Sequence, residues 1–184
     1  GVKAIKCAAE LGITSLLNVN FMPNAVYQPE LCIRTAMEAA HTYGFPMDRI
    51  VFEITEGERV ADLPHLQAIV ADYQQRGFQV AIDDFGAGYA GLNLLAELRT
   101  DLVKLDMGLV RQLDQDRTRR VICRGIVQVC RELGMEVIAE GIETRDEMLC
   151  LQDLGVYLFQ GYYLAKPSFE SLAQVNPAAT ADAG

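Results

Sequence analysis

An alternation constrains this chain more than any other feature: six apolar stretches of strand length each follow a segment of helical periodicity. Helix-like Val2 to Leu11 leads to strand Leu16 to Phe21, Pro29 to Tyr43 leads to Ile50 to Thr55, and Leu63 to Arg76 leads to Gln79 to Ile82. Gly91 to Leu98 then precedes Leu102 to Leu105, Thr118 to Leu133 precedes Glu136 to Ala139, and Arg145 to Leu154 precedes Tyr157 to Phe159. Gly12, Gly44, Gly77, Gly134 and Gly155 each fall just after a helical segment, where a left-handed residue closes the last turn. Strands that are apolar throughout belong to parallel sheets covered on both faces, so the fold class is α/β. Polar residues recur at the C-terminal end of almost every strand, whereas an open sheet gathers its site at one switch point; a barrel is therefore expected. A closed (β/α)8 barrel needs eight strands and about 250 residues. With six strands in 184 residues, the chain reads as a TIM-type barrel over residues 1–175, incomplete at its N-terminus. Asn176 to Gly184 (NPAATADAG) reads as a disordered tail.

Composition narrows the partners. Sixteen Lys and Arg against twenty-five Asp and Glu give a net charge of -9. That balance argues against a duplex nucleic-acid binder, which neutralises phosphates with basic patches. The sequence holds no apolar run long enough to span a membrane and no signal-peptide order at Gly1 to Gly12, so a cytoplasmic location is the default expectation. The five cysteines are odd in number and form no C-x-x-C pair, as expected of reduced core thiols.

The strand ends carry the chemistry. Asn18 and Asn20 close the first strand, Glu53 and Glu56 the second, and Asp83-Asp84 the third; Lys104 and Asp106 follow, then Glu140 and Glu143, and last Gln160. In a parallel barrel these side chains converge on one rim. Four to six carboxylates in one bowl repel one another and raise their pKa values unless divalent cations neutralise them. All-oxygen donors favour Mg²⁺ or Mn²⁺ over zinc, and the histidines, His41 and His65, fall in helices away from the rim. Successive residues of an extended strand face opposite ways, so Asp83 and Asp84 reach one site only if the chain turns there. One of the pair then bridges two ions about 3.5–4 Å apart, the arrangement that clamps the attacking and leaving oxygens of a phosphodiester. Lys104 beside them suits a nucleophilic water or the balance of transition-state charge.

Each piece alone has a plainer reading. Asp84 is a candidate helix N-cap, Glu56 a solvated loop residue, Lys104 with Asp106 an ordinary ion pair, and Asn20 a turn residue. Their joint occurrence, one polar group per βα unit, favours a site. A different enzyme class also fits such residues: proton abstraction beside a carboxylate with Lys104 as base, against which the second carboxylate of the Asp pair counts.

The segments Asn18 to Pro23 (NVNFMP), Phe52 to Glu56 (FEITE), Ile82 to Tyr89 (IDDFGAGY), Val103 to Asp106 (VKLD), Ala139 to Glu143 (AEGIE) and Phe159 to Pro167 (FQGYYLAKP) resemble, in order and spacing, the EAL-domain phosphodiesterases that hydrolyse the bacterial second messenger cyclic di-GMP. The resemblance implies a modified TIM barrel whose first strand is antiparallel to the others. It makes Asn20, Glu53 and Asp83 ligands of a first metal, with Asp83 bridging to a second held by Asp84 and Glu140. It gives Lys104 contact with the catalytic water, Asp106 and Glu143 supporting roles, Glu56 the anchoring of the loop after the Asp pair, and Gln160 a place near a guanine base. The implied reaction is two-metal hydrolysis, with Mg²⁺ or Mn²⁺, of one phosphodiester of the ring to linear pGpG. The resemblance further implies a homodimer formed around Gly91 to Arg99 and a fused or partner sensory domain; NVNFMPNAVYQPELCIR looks like members attached to blue-light flavin domains. The Glu-Ala-Leu tripeptide that names the family, with its metal-ligating Glu, is absent from this sequence. Without that Glu, weak metal binding and little turnover are expected, which keeps a catalytically impaired cyclic di-GMP receptor as the alternative.

Overall fold

In the computed structural model, residues 2–12, 16–21, 29–56, 62–88 and 91–160 are described. The alternation seen in the sequence becomes α1 (Val2–Glu10), β1 (Leu17–Asn20), α2 (Pro29–Tyr43), β2 (Ile50–Thr55), α3 (Leu63–Gln75), β3 (Gln79–Phe85) and α4 (Gly91–Glu97). β4 (Leu102–Leu105), α5 (Met107–Val110), α6 (Arg117–Glu132), β5 (Glu136–Glu140), α7 (Arg145–Asp153) and β6 (Leu158–Gln160) complete it. The tail from Asn176 lies outside the described residues, as do Met22 and Pro23 and the stretch of FQGYYLAKP after Gln160.

Side-chain caps start the later helices. The Asp62 carboxylate accepts from the His65 N–H at the head of α3, and Asp116 does the same for Arg119 at α6. Thr144 and Glu147 form a reciprocal capping box on α7. Along α6, Cys123, Val127 and Cys130 are buried at helical spacing, and α6 ends where Gly134 turns left-handed at φ 74. All five cysteines are free thiols; Cys123 and Cys130 are buried, while Cys7, Cys32 and Cys150 are half-buried. No helix among the described residues is long and apolar enough to cross a membrane.

The six strands pair in chain order, each parallel to its neighbour. A doubly wound sheet reverses strand order at a switch point, and this sheet has no reversal. Its two faces are both buried, against different things. Ile50, Phe52, Ile54, Val80, Ile82, Val103, Leu105, Val137 and Ala139 pack into the large core shared with the helices. The alternate residues Val51, Ala81, Leu102 and Ile138, no more than 6% exposed, form a separate cluster joined by Leu16. A sheet can bury that second face without helices only by curling on itself. A cavity of about 450 Å³ lined by Leu16 and Asn18 at one edge and by Ile138, Leu158, Phe159 and Gln160 at the other shows how far the curl goes. The fold is an α/β half-barrel of TIM type.

Two differences from the sequence reading matter. The third strand does not stop at Ile82 but runs through both aspartates to Phe85, and the one-turn helix α5, capped by Asp106, was not anticipated because four residues are too few to show a period.

Candidate active site

Period two along the strands builds the site. Two positions after each member of the inner apolar cluster stands a charged residue: Glu53 after Val51, Asp83 after Ala81, Lys104 after Leu102, Glu140 after Ile138. The apolar residues thus form a floor and the charged ones a layer above it, toward the C-terminal ends of the strands. The layer is not a single ladder row. Glu53 pairs in register with Ala81 and Lys104 with Ile138, so reaching Asp83 and Glu140 takes a two-residue stagger at each of those steps. Such stagger is what closing a tilted sheet requires.

The end of β3 solves the facing problem of the adjacent aspartates. Ile82 pairs with Val103 and Phe85 with Leu105, so Asp83 and Asp84 together oppose the single residue Lys104 in a bulge. Asp84 has φ 52, a left-handed conformation that a short polar side chain tolerates better than most. Its N–H donates to Asp83 Oδ1 at 3.0 Å, and its carbonyl accepts from Ala87 in the turn that follows. The kink brings one oxygen from each of Asp83, Asp84 and Glu140 within 4.8 Å of one another.

Lys104 is the hub. It is 3% exposed, and its Nζ lies 2.5 Å from Glu53 Oε1, 2.6 Å from Glu140 Oε1 and 3.3 Å from Asp83 Oδ1. Burial alone would lower its pKa, but hydrogen bonds and charge from Glu140 and Glu53 prevail and hold it above the ordinary lysine range. One ammonium against four carboxylates leaves the layer short of positive charge. Burial pushes up Glu53 and Glu140, whose neighbouring acids add to the rise against the pull of Lys104; Asp84 is raised by burial and then by Asp83 and Asp106. Two like charges 4.8 Å apart repel by about 3 kcal/mol at an effective dielectric near 20. An all-oxygen, net-negative, half-buried group of this compactness fits a hard divalent cation. Asn20, the register partner of Glu53, stands at the exposed end of β1 in the same neighbourhood.

The outer residues serve the loops. Glu56, 3% exposed, accepts from the N–H groups of Gly86 (2.7 Å) and Gly88 (3.3 Å) with one oxygen and Gly91 (2.5 Å) with the other, tying both ends of the loop after β3. Gly86 has φ 99, and a Cβ there would overlap the Leu109 side chain of α5. Asp106 does not pair with Lys104; its carboxylate caps α5 through the Gly108 N–H at 2.7 Å. Asp84 caps no helix, since α4 begins at Gly91. Glu143 pairs with Arg111 at 3.0 Å, and Gln160 sits opposite Glu140 at the end of β6. His41 and His65 lie in α2 and α3. Arg111 and Glu147 were not singled out from the sequence; only the T-x-x-E capping pattern at Thr144 to Glu147 could have flagged the second.

The EAL domain family model matches residues 2–167. The chain belongs to the EAL-domain family. A solved standalone EAL protein from Vibrio cholerae O395, in its c-di-GMP-bound form, is 52% identical with a TM-score of 0.91, covering 97% of this chain and 76% of that one. BlrP1 of Klebsiella pneumoniae, solved with manganese and cyclic di-GMP at pH 9.0, is 31% identical with a TM-score of 0.87, covering 95% of this chain and 45% of that one. Among curated proteins, the blue light- and temperature-regulated antirepressor BluF of Escherichia coli is 27% identical over 168 residues, 91% of this chain and 41% of BluF. The cyclic di-GMP phosphodiesterase PdeF of the same organism is 29% identical over 161 residues, 86% of this chain and 21% of PdeF. The chain thus spans less than half the length of these two curated relatives.

Proposed function

We propose that this EAL domain hydrolyses cyclic di-GMP to linear pGpG with Mg²⁺ or Mn²⁺. The observation that carries the proposal is the charge layer: Lys104 bonded to Glu53 and Glu140, with Asp83, Asp84 and Glu140 gathered on the bulge. Relatives named as cyclic di-GMP phosphodiesterases and a structural neighbour holding manganese and cyclic di-GMP support it. Asn20, Glu53 and Asp83 would hold one cation, and Asp83, Asp84 and Glu140 a second. When bound, the cations offset the carboxylate charge and polarise the phosphodiester for in-line hydrolysis.

The residues of the chain do the rest. Lys104 stays protonated through neutral pH, so it works as a fixed positive charge that orients Glu53 and Glu140 and balances charge developing on the phosphate. Glu56 anchors the loop after β3 through the amides of Gly86, Gly88 and Gly91, Asp106 and Glu143 play supporting roles through α5 and Arg111, and Gln160 meets a guanine base. The protein acts in the cytoplasm, as a homodimer, under a sensory domain; a blue-light flavin domain is the proposed one, as in the relative named for blue-light regulation.

The test incubates the protein with cyclic di-GMP and Mg²⁺ or Mn²⁺ and resolves products by chromatography. Accumulation of pGpG supports the proposal; none at any metal concentration ends it. The relative named as an antirepressor favours a second reading, a receptor that binds cyclic di-GMP without cleaving it. Calorimetry with Ca²⁺ in place of Mg²⁺ separates the two: tight binding without product under either ion identifies the receptor.

A further inference from the structure

Outside the charge layer, the described part of the molecule holds a second buried acid with an unusual set of partners. Glu147, 2% exposed, accepts from the Gln112 N–H at 2.9 Å with one oxygen, and from the Glu143 N–H at 2.9 Å and the Thr144 N–H at 3.3 Å with the other. A helix cap needs only the Thr144 bond. The Gln112 bond crosses 35 residues, from the first turn of α7 to the segment after α5, and meets a residue held at φ 56. A non-glycine residue persists in that conformation only where its surroundings over-determine it. A second tie runs beside these three bonds, the Arg111 side chain next to Gln112 pairing with the carboxylate of Glu143 at 3.0 Å. Nearer the strands the same two loops press together again, Met107 lying where a Cβ on Gly141 would stand.

We infer that Glu147 is a positioning residue for the charge layer: its carboxylate locks the loop after β4 to the loop after β5, and so fixes Lys104 against Glu140. Lys104 is two residues before Asp106, the cap of α5, and Glu140 is three before Glu143, so both strand ends run directly into the clamped segments. A clamp of two acceptor oxygens across two loops limits how far Glu140 can drift from Asp83 and Asp84, which together form the compact oxygen group. The inference rests on the proposal that this group holds divalent cations, and its test is chosen to fail separately from the proposed hydrolysis.

The test titrates Mn²⁺ into the full chain by calorimetry, with no substrate present, for wild type, Glu147→Gln, Arg111→Ala and Thr144→Ala. Glu147→Gln replaces one acceptor with a donor facing backbone N–H groups and should weaken Mn²⁺ binding about tenfold, the scale of outer-sphere partners of metal ligands. Arg111→Ala, which cuts the parallel tie at a partly exposed site, should shift it severalfold in the same direction and covers the case in which Glu147→Gln fails to fold. Thr144→Ala removes the other half of the capping box and should lower the melting temperature with Mn²⁺ affinity unchanged. If Glu147→Gln and Arg111→Ala bind Mn²⁺ as wild type does, or if Thr144→Ala weakens binding as much as Glu147→Gln, the residue is a cap and the inference is overturned. Wild type that binds Mn²⁺ yet makes no pGpG sinks the hydrolysis while leaving the clamp measurable; wild type that binds no Mn²⁺ sinks both.

Discussion

Replacing Lys104 with methionine keeps the length and apolar stem of the side chain and deletes the one ammonium inside the charge layer. Three contacts vanish together, at 2.5, 2.6 and 3.3 Å, and buried Glu53 and half-buried Glu140 are left near each other and near Asp83 without a counter-charge. Breaking a buried ion pair by removing one partner costs about 3–5 kcal/mol. For a chain of this size that is roughly 6–20 °C in melting temperature. The cost depends on pH with a defined sign. Glu53 and Glu140 already titrate above their unfolded values, and losing Lys104 raises them further. A carboxylate whose folded pKa is raised is destabilising once ionised. The deficit relative to wild type should therefore be small near pH 4, where both acids are mostly protonated in either folded protein, grow as pH passes the raised wild-type values, and level off above the still higher values of the variant. The contribution of Lys104 in wild type runs the other way and is lost only above the unfolded lysine value, outside this window. Urea denaturation in a chelator at pH 4 and pH 7 measures both, and Mn²⁺ at pH 7 should restore part of the loss. A Lys104→Met protein as stable as wild type at pH 7 without metal would refute the account of the layer as an under-compensated acid cluster.

Glu56→Ala strands three amide donors, those of Gly86, Gly88 and Gly91, and should cost about 1–3 kcal/mol; their hydrogen exchange should speed up selectively, and unchanged protection would count against the anchor. Gly86→Ala meets both a positive φ and the Leu109 side chain, so a loss of about 1–3 kcal/mol is expected, with Leu109→Ala recovering only the steric share in a double-mutant cycle of denaturation midpoints. Burial pushes the Cys123 and Cys130 thiols up to about 11 and also raises that of half-buried Cys150, so at pH 8 a thiol-specific chromophore should label half-buried Cys7 and Cys32 first, Cys150 next, and Cys123 and Cys130 last, with all five reacting together in denaturant. Prompt labelling of all five in the native protein would contradict the packing of α6.

The strands were legible because Val51, Ala81, Leu102 and Ile138 sit in apolar runs, and the layer was legible because a charged residue follows each two positions later. Both are local patterns of period two. The bulge was not, since whether Asp83 and Asp84 share one face is decided by the pairing of Ile82 and Phe85 with Val103 and Leu105, residues some twenty positions away. For the same reason the partner of Lys104 was open between Asp106, two residues on, and the acids of three other strands that the curl delivers to it. α5 and the Arg111–Glu143 and Glu147–Gln112 ties escaped because a single turn has no period and a bond spanning 35 residues leaves no trace in spacing.

The bulge also separates chemistry from architecture. A chain one residue shorter at Asp83-Asp84 would lay β3 flat against β4, keep the outer core from Ile50 to Ala139, and lose the convergence of three acids. In this scaffold, then, the compact gathering of Asp83, Asp84 and Glu140 hangs on a single surplus amino acid, so the arrangement of the acids is far easier to gain or discard than the shape that carries it.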